Sequence, residues 1–308
     1  MASSSSSSSI DPFDAIEIST QTIIAKTNWK ININALFDNL PVTAYEVIPK
    51  KRGRRPKEEK KNDPPSLNDG DIVTLKLGEH LRGTDLKMKK KTGGDNYFRN
   101  SITVVMFCDR KFINFKISKN GKFQFTGCKN DHHPHRCLDF IRQYITSLNI
   151  PGILTLPAST NLEVMYMTVM SNINFSLGFC INKESLNEYI FQHTDHNSLL
   201  ETTFGYTGVN VKMQIPDVSS IPVMRCVYDE AAGHWDEMVW TYGRYLETLD
   251  DKERAKEQGK HRYVTLLVFQ SGNVIESAPH KACMRPAYEE FLRLIAECRP
   301  LIEEKIIE

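Results

Sequence analysis

KFINFKISKNGKF, Lys111–Phe123, lies without gaps over RYVTLLVFQSGNV, Arg262–Val274, at an offset of 151 residues, so that Gly121 falls on Gly272. The same offset carries Phe140 onto Phe291 and Ile141 onto Leu292 in the stretches DFIRQYI and EFLRLIA that follow. Register therefore holds through a strand pair and into a helix. Upstream, IIAKTNWKINI from Ile23 matches MTVMSNINFSL from Met167 at an offset of 144, which places Asn28 on Asn172. The offsets differ because the segments inserted into each copy differ. Self-similarity of this kind means one structural unit written twice.

The unit can be read from its periodicities. Ile102, Val104 and Met106, then Ile113, Phe115 and Ile117, then Phe123 and Phe125 alternate with polar positions, each run keeping its own parity. That pattern predicts antiparallel strands with one face on the core and one face open. The open positions are Ser101, Thr103, Asn114, Lys116, Ser118, Lys122, Gln124 and Thr126. Asn120-Gly121 and Ser271-Gly272 read as tight turns, where glycine supplies a positive φ. Phe140, Ile141, Tyr144, Ile145 and Leu148, and in the second copy Phe291, Leu294, Ile295 and Cys298, recur at helical spacing. Asn34 and Asn182 are expected to cap a short helix near the start of each copy. Each copy thus reads strand, short helix, strands, long helix, an α+β pattern with helices on one face of the sheet.

Three stretches interrupt this plan. Residues 1–16, with Ser3–Ser9 as their centre, read as a disordered tail. The first repeat, 17–150, carries a basic insertion at about 50–96, with KKRGRRPKEEKK, Pro64-Pro65 and KMKKKTGGD around the apolar phrase DIVTLKL. The second repeat, 160–304, carries a charged insertion at about 217–261, in which WDEMVWTYGRYLETL is expected to form an amphipathic helix.

Composition narrows the function classes. Of 308 residues 40% are hydrophobic, enough for one large or two modest cores. No apolar run is long enough to span a bilayer and the first residues lack signal-peptide character, so an intracellular protein without a membrane is expected. Seven scattered cysteines read as reduced core thiols. A formal charge of +1, from 39 Lys+Arg and 38 Asp+Glu, means that any binding of polyanions must come from local arrangement. A nucleotide-binding glycine loop and a nucleophile elbow are absent, and the chain is expected not to be an enzyme. Cys128, His132, His133, His135 and Cys137 are zinc-ligand types without paired spacing, and neither a metal nor a cofactor is expected.

The phrase NGKFQFTGCK, Asn120–Lys129, resembles the strand-turn-strand signature of the TATA-box-binding protein family, which ends in Thr-Gly-Ala-Lys; SGNVIESAPH is its weaker counterpart. QTIIAKTNWKINI resembles that family's first strand and LLVFQSG its Leu-Leu-Ile-Phe before the second turn. The resemblance covers both repeats and implies a saddle-shaped curved antiparallel sheet with helices on its convex face. In the family the concave sheet enters the minor groove, and apolar wedges unstack base steps and bend the duplex, a mechanism belonging to the family and not read from these residues.

Carried over by position, the resemblance puts wedges at Phe269 and Tyr206, with Phe204 beside it. In the first repeat the same positions hold Ser101 and Ser118, with Phe98 close by. Thr22 and Tyr166 stand where the family has paired asparagines. Thr126 and Ser277 stand at its groove-contacting threonines, and Gln124, Ile275 and Leu267 complete the expected groove set. Lys116, Lys122 and Lys212 are the expected phosphate contacts, while Asn273 replaces another basic residue. The implied role is a general transcription initiation factor on double-stranded promoter DNA, with a transcription-factor-B-like protein and RNA polymerase as partners and a monomer favoured. The alternatives are an interaction module that has lost DNA bending, and a DNA-processing enzyme using the sheet for recognition. Departures of this size with long insertions resemble the TATA-binding-like proteins of large DNA viruses, so the expected location is the nucleus, or a viral factory and virion. RGRRPK from Arg52 resembles an AT-hook whose core is interrupted by an extra arginine, and the simpler reading is a solvated basic linker or nuclear-import signal.

Overall fold

The computed structural model describes residues 11–46, 67–86, 100–157, 161–201 and 208–304. The strands are β1 (Ile18–Thr27), β2 (Lys30–Ile31), β3 (Ile72–Leu77), β4 (His80–Gly83), β5 (Ser101–Cys108), β6 (Lys111–Ser118), β7 (Lys122–Cys128), β8 (Leu154–Thr155), β9 (Glu163–Ser176), β10 (Asn197–Glu201), β11 (Gly208–Gln214), β12 (Pro222–Asp229), β13 (His234–Thr241), β14 (Tyr263–Phe269) and β15 (Asn273–Ala278). The helices are α1 (Ile33–Asn39), α2 (His132–Leu148), α3 (Lys183–His193), α4 (Tyr242–Glu247), α5 (Asp251–Gln258) and α6 (Arg285–Ile302). The class is α+β, with antiparallel strand pairing and several helices.

The chain divides into two units, one built on 22–167 with 224–238, the other on 168–223 and 239–308 together with the residues up to 21. The four boundaries fall inside strands, β1, β9, β12 and β13. In the first-repeat unit the strand order is β1-β7-β6-β5-β3-β4. Ile23, Ala25, Ile102, Val104, Met106, Ile113, Phe115, Ile117, Phe123 and Phe125 of this sheet are buried in one cluster with Leu36 and Phe37 of α1 and Cys137, Leu138 and Ile141 of α2. In the second-repeat unit the order is β10-β11-β14-β15-β9, antiparallel throughout. Val209, Val211, Leu266, Val268, Val274, Ile173 and Phe175 pack there on Leu186 and Ile190 of α3 and on Phe291, Leu294, Ile295 and Cys298 of α6. The alternation seen in sequence is thus the core face of each sheet.

Gly121 and Gly272 have φ of 69° and 78°, and a Cβ at either would run into neighbouring backbone, that of Trp29 and Phe179 respectively. Both turns therefore require glycine. Asn182 caps α3 by accepting a hydrogen bond from the Ser185 amide at 2.8 Å. In α1 the cap is Asn32, which accepts from Ala35, and not Asn34, because the helix begins two residues earlier than that cap implies.

Other sequence-based expectations change. The serine run lies outside the described residues, but Phe13 and Ile16 are not tail: both are buried in the second-repeat core. Phe13 packs on Tyr288 at 5.4 Å, and Asp14 pairs with Arg285. Within the basic insertion, DIVTLKL is strand β3, which pairs with β5 and buries Ile72, Val73 and Leu75. It occupies the place in its sheet that β10 takes beside β11 in the other. RGRRPK lies outside the described residues. In the second insertion WDEMVW is not helical: His234–Thr241 is strand β13, hydrogen-bonded to β12, and of the expected helix Tyr242–Glu247 remains, followed by α5. His132, His133 and His135 lie in the first turn of α2. All seven cysteines are thiols. Among the described residues no helix is long and apolar enough to cross a membrane.

Candidate nucleic-acid interface

Strand alternation decides which side chains stand opposite the helices. In the second-repeat unit, Val209, Val211 and Met213 of β11 face the core, so Asn210, Lys212 and Gln214 face away from it. By the same parity Tyr263, Thr265, Leu267 and Phe269 of β14, Asn273, Ile275 and Ser277 of β15, and Asn172, Asn174 and Ser176 of β9 stand on the open face. Pairing then aligns them in rows across the strands. One row runs Leu199, Asn210, Leu267, Ile275, Asn174; the next runs Asn197, Lys212, Thr265, Ser277, Asn172. Each row places apolar or hydroxyl side chains between amides. The Oδ1 atoms of Asn172 and Asn210 are buried with no hydrogen-bond partner among the described residues.

Phe269 ends β14 opposite Gly208, half-buried, beside an open depression of ≈510 Å³ whose wall includes Asn174, Ser176, Asn273 and Ile275. Tyr206 and Phe204 lie outside the described residues, as does Phe98. Leu267, Ile275, Ser277 and Lys212 are brought together on this face. Asn210, Asn174, Asn172 and Thr265 join them; the strict alternation of GVNVKMQ was the signal for Asn210.

In the first-repeat unit the open face carries Thr22, Ile24 and Lys26 of β1, Lys122, Gln124 and Thr126 of β7, Asn114, Lys116 and Ser118 of β6, Ser101, Thr103 and Val105 of β5, and Lys76 of β3. Lys76, Thr103, Lys116 and Gln124 form one row, and Val105, Asn114 and Thr126 the next. Ser101 is directly opposite Ser118, whose hydroxyl donates to the Lys122 carbonyl at 3.1 Å. The wedge-equivalent pair is therefore polar and internally tied. At the other end of the same hairpin Phe107, Phe112 and Tyr45 cluster edge to face, with ring centroids 5.6 and 5.2 Å apart, a grouping that sequence reading missed because Tyr45 comes from a distant loop.

Tyr166 does not stand on the open face. It is buried, pairs with Met224 of β12, and stacks on the His135 ring with centroids 3.9 Å apart. The cause is a change of parity within β9: Val164 and Tyr166 belong to one core, Ile173 and Phe175 to the other. Counting at a constant offset assumes an unbroken alternation. Burial pushes the Tyr166 hydroxyl well above the ordinary tyrosine range.

The charge on these faces differs from that of the chain. Their described open positions include Lys26, Lys76, Lys116 and Lys122 in one unit and Lys212 in the other, while Glu163 of β9, opposite in parity to the core residue Val164, is held in a two-point contact by Arg225. Glu276, between Ile275 and Ser277, points the opposite way, is fully buried, and burial pushes its carboxyl up to about 8. What faces outward is mainly hydroxyl, amide, apolar and ammonium groups.

No protein-family model matches the chain. It is 27% identical over 235 residues to Uncharacterized protein 335L of Invertebrate iridescent virus 6, covering 74% of this chain and 68% of that protein. It is 31% identical over 119 residues to a TATA-box-binding protein-like protein of Acanthamoeba polyphaga mimivirus, covering 37% of this chain and 27% of that relative's own length. A solved structure of Methanococcus jannaschii TBP superposes with a TM-score of 0.41 at 12% identity, covering 92% of this chain and 98% of that one. The chain is a distant relative of viral proteins and is similar in sequence to one of TATA-box-binding type.

Proposed function

We propose that this protein binds double-stranded DNA in the minor groove through its open sheet faces and acts in transcription initiation, by binding rather than catalysis. The observation that carries the reading is the make-up of those faces: a chain with 39 basic and 38 acidic residues presents Lys26, Lys76, Lys116, Lys122 and Lys212 there, and the outward Glu163 is matched by Arg225. Such a surface gains affinity for phosphate by counterion release. Between the lysines, rows of amide, hydroxyl and branched apolar side chains suit a shallow groove floor of base edges. The resemblance to the TATA-box-binding family adds a wedge role for Phe269, with Tyr206 or Phe204 beside it. It also supplies a transcription-factor-B-like protein and RNA polymerase as partners at a promoter.

Binding is asymmetric in this reading. Phe269 beside its open depression can enter a base step, whereas the Ser101–Ser118 pair cannot, so the second repeat kinks the duplex and the first grips it. The test uses doubly labelled short duplexes, A·T-rich and G·C-rich, over a salt series. A·T-rich DNA is expected to bind and to shorten end to end, and Phe269→Ala to bind with the shortening lost. Equal kinks at both ends would refute the asymmetry. Absence of duplex binding at low salt would refute the reading and leave the interaction-module alternative, which the polar serine pair favours.

A further inference from the structure

We propose that His135, Cys226 and Glu237 form a zinc site that fastens the β12–β13 hairpin to helix α2. The three side chains come from α2, β12 and β13, and their ligand atoms all lie within 4.8 Å of one another. Thiolate, imidazole and carboxylate together are a donor set that selects zinc. The His135 Nδ1 to Glu237 Oε1 distance is 3.4 Å. Zn–N and Zn–O bonds of about 2.0–2.1 Å in a tetrahedron require an edge of about 3.4 Å. Two corners are thus already at coordination spacing.

The arrangement follows from two periodicities. Tyr228 and Trp235 pack edge to face across the hairpin at 5.1 Å, so Cys226 and Glu237, each two residues further along its strand, share their face. On α2, His135, Asp139 and Arg142 recur at helical spacing and present one face. Trp235 Nε1 donates to Asp139 at 3.2 Å, and the Arg142 guanidinium lies 3.9 Å from the Tyr228 ring centroid. One helical turn away, Cys226 and Glu237 meet His135. The ring of His135 is held by its stack on Tyr166, which fixes the direction of its nitrogens. Cys226 is 1% exposed, whereas Glu237 is open to solvent, so the fourth corner goes to water. This hairpin is an insertion, and metal binding is a means of holding a segment whose own core is small. The zinc-ligand types noted in sequence between Cys128 and Cys137 contribute one member, His135; its partners lie about ninety residues further on, beyond the reach of any spacing rule.

The experiment strips the full-length chain with a chelator and titrates it with cobalt(II). The expected result is one tight equivalent, a thiolate-to-cobalt charge-transfer band in the near ultraviolet, and quenching of Trp235 fluorescence. Cys226→Ser is expected to lose the charge-transfer band. Glu237→Gln, at an exposed position that leaves the fold intact by circular dichroism, is expected to weaken cobalt binding by about a hundredfold or more, since even outer-shell partners are worth 10–100-fold. No stoichiometric cobalt binding, a charge-transfer band that survives Cys226→Ser, or unchanged affinity in folded Glu237→Gln would each overturn the assignment.

Discussion

Glu276→Gln tests how the second-repeat core is held. The carboxyl stands on β15 between open-face neighbours but points into the core, opposite Leu266 and Ile173, and neither of its oxygens has a partner among the described residues. Desolvation alone raises it from 4.5 to about 8, so the folded protein holds it protonated at neutral pH. Below the ordinary value both folded and unfolded states are protonated and the carboxyl costs nothing. As pH rises the unfolded state ionises first, and stability drains away until the folded carboxyl ionises near 8. At 1.36 kcal/mol per unit, the wild type loses about 3 kcal/mol between pH 5 and pH 8 relative to a neutral side chain. Glutamine is that neutral isostere. The assay is thermal or urea unfolding of both proteins at the two pH values. The variant is expected to match the wild type at pH 5 and to exceed it by about 3 kcal/mol at pH 8, roughly 6 °C or more in Tm. Parallel pH profiles would show that the carboxyl is hydrated or paired, and would refute the argument.

Lys212→Ala is expected to weaken duplex binding at every sequence alike and to reduce the slope of log K against log salt by about 0.9, read from the same labelled-duplex titrations. Phe291→Ala removes a fully buried ring beneath β9 and is expected to cost about 3–5 kcal/mol in urea unfolding, with Phe175 losing a ring neighbour. Gly272→Ala forces a Cβ into the Phe179 backbone at a φ of 78°, and is expected to cost more than about 1 kcal/mol in the same assay.

The parts of this molecule legible in sequence are those set by local repetition. Alternation in Ile113, Phe115 and Ile117 named the core face, helical spacing in Phe291, Leu294 and Ile295 named the helix seam, and a shared glycine fixed both turns. What was not legible depends on pairing across long separations. DIVTLKL looks like an isolated phrase until β5 is placed beside it, and Phe13 and Ile16 look like tail until Tyr288 and Arg285 receive them. WDEMVW has no strong strand alternation of its own; β12 and the α2 contacts of Trp235 make it a strand. Tyr166 was misplaced because β9 changes parity along its length, which a count from Thr22 cannot detect.

The placement of charge follows the same logic and is the reason net charge misleads here. Many carboxylates are paired: Glu290 and Glu297 with Arg293, Glu163 in a two-point contact with Arg225, Glu257 with Lys260 and Arg262. Each such pair removes a positive and a negative charge from the local field together. A total of +1 therefore says nothing about how charge is distributed between one face of the molecule and another. Exposed pairs add little to stability. Their larger effect is on where the remaining charge lies, since an acid on a sheet face would repel phosphate at close range. The two-point contact of Glu163 with Arg225 thus also limits the negative charge on the faces on which the proposed function depends.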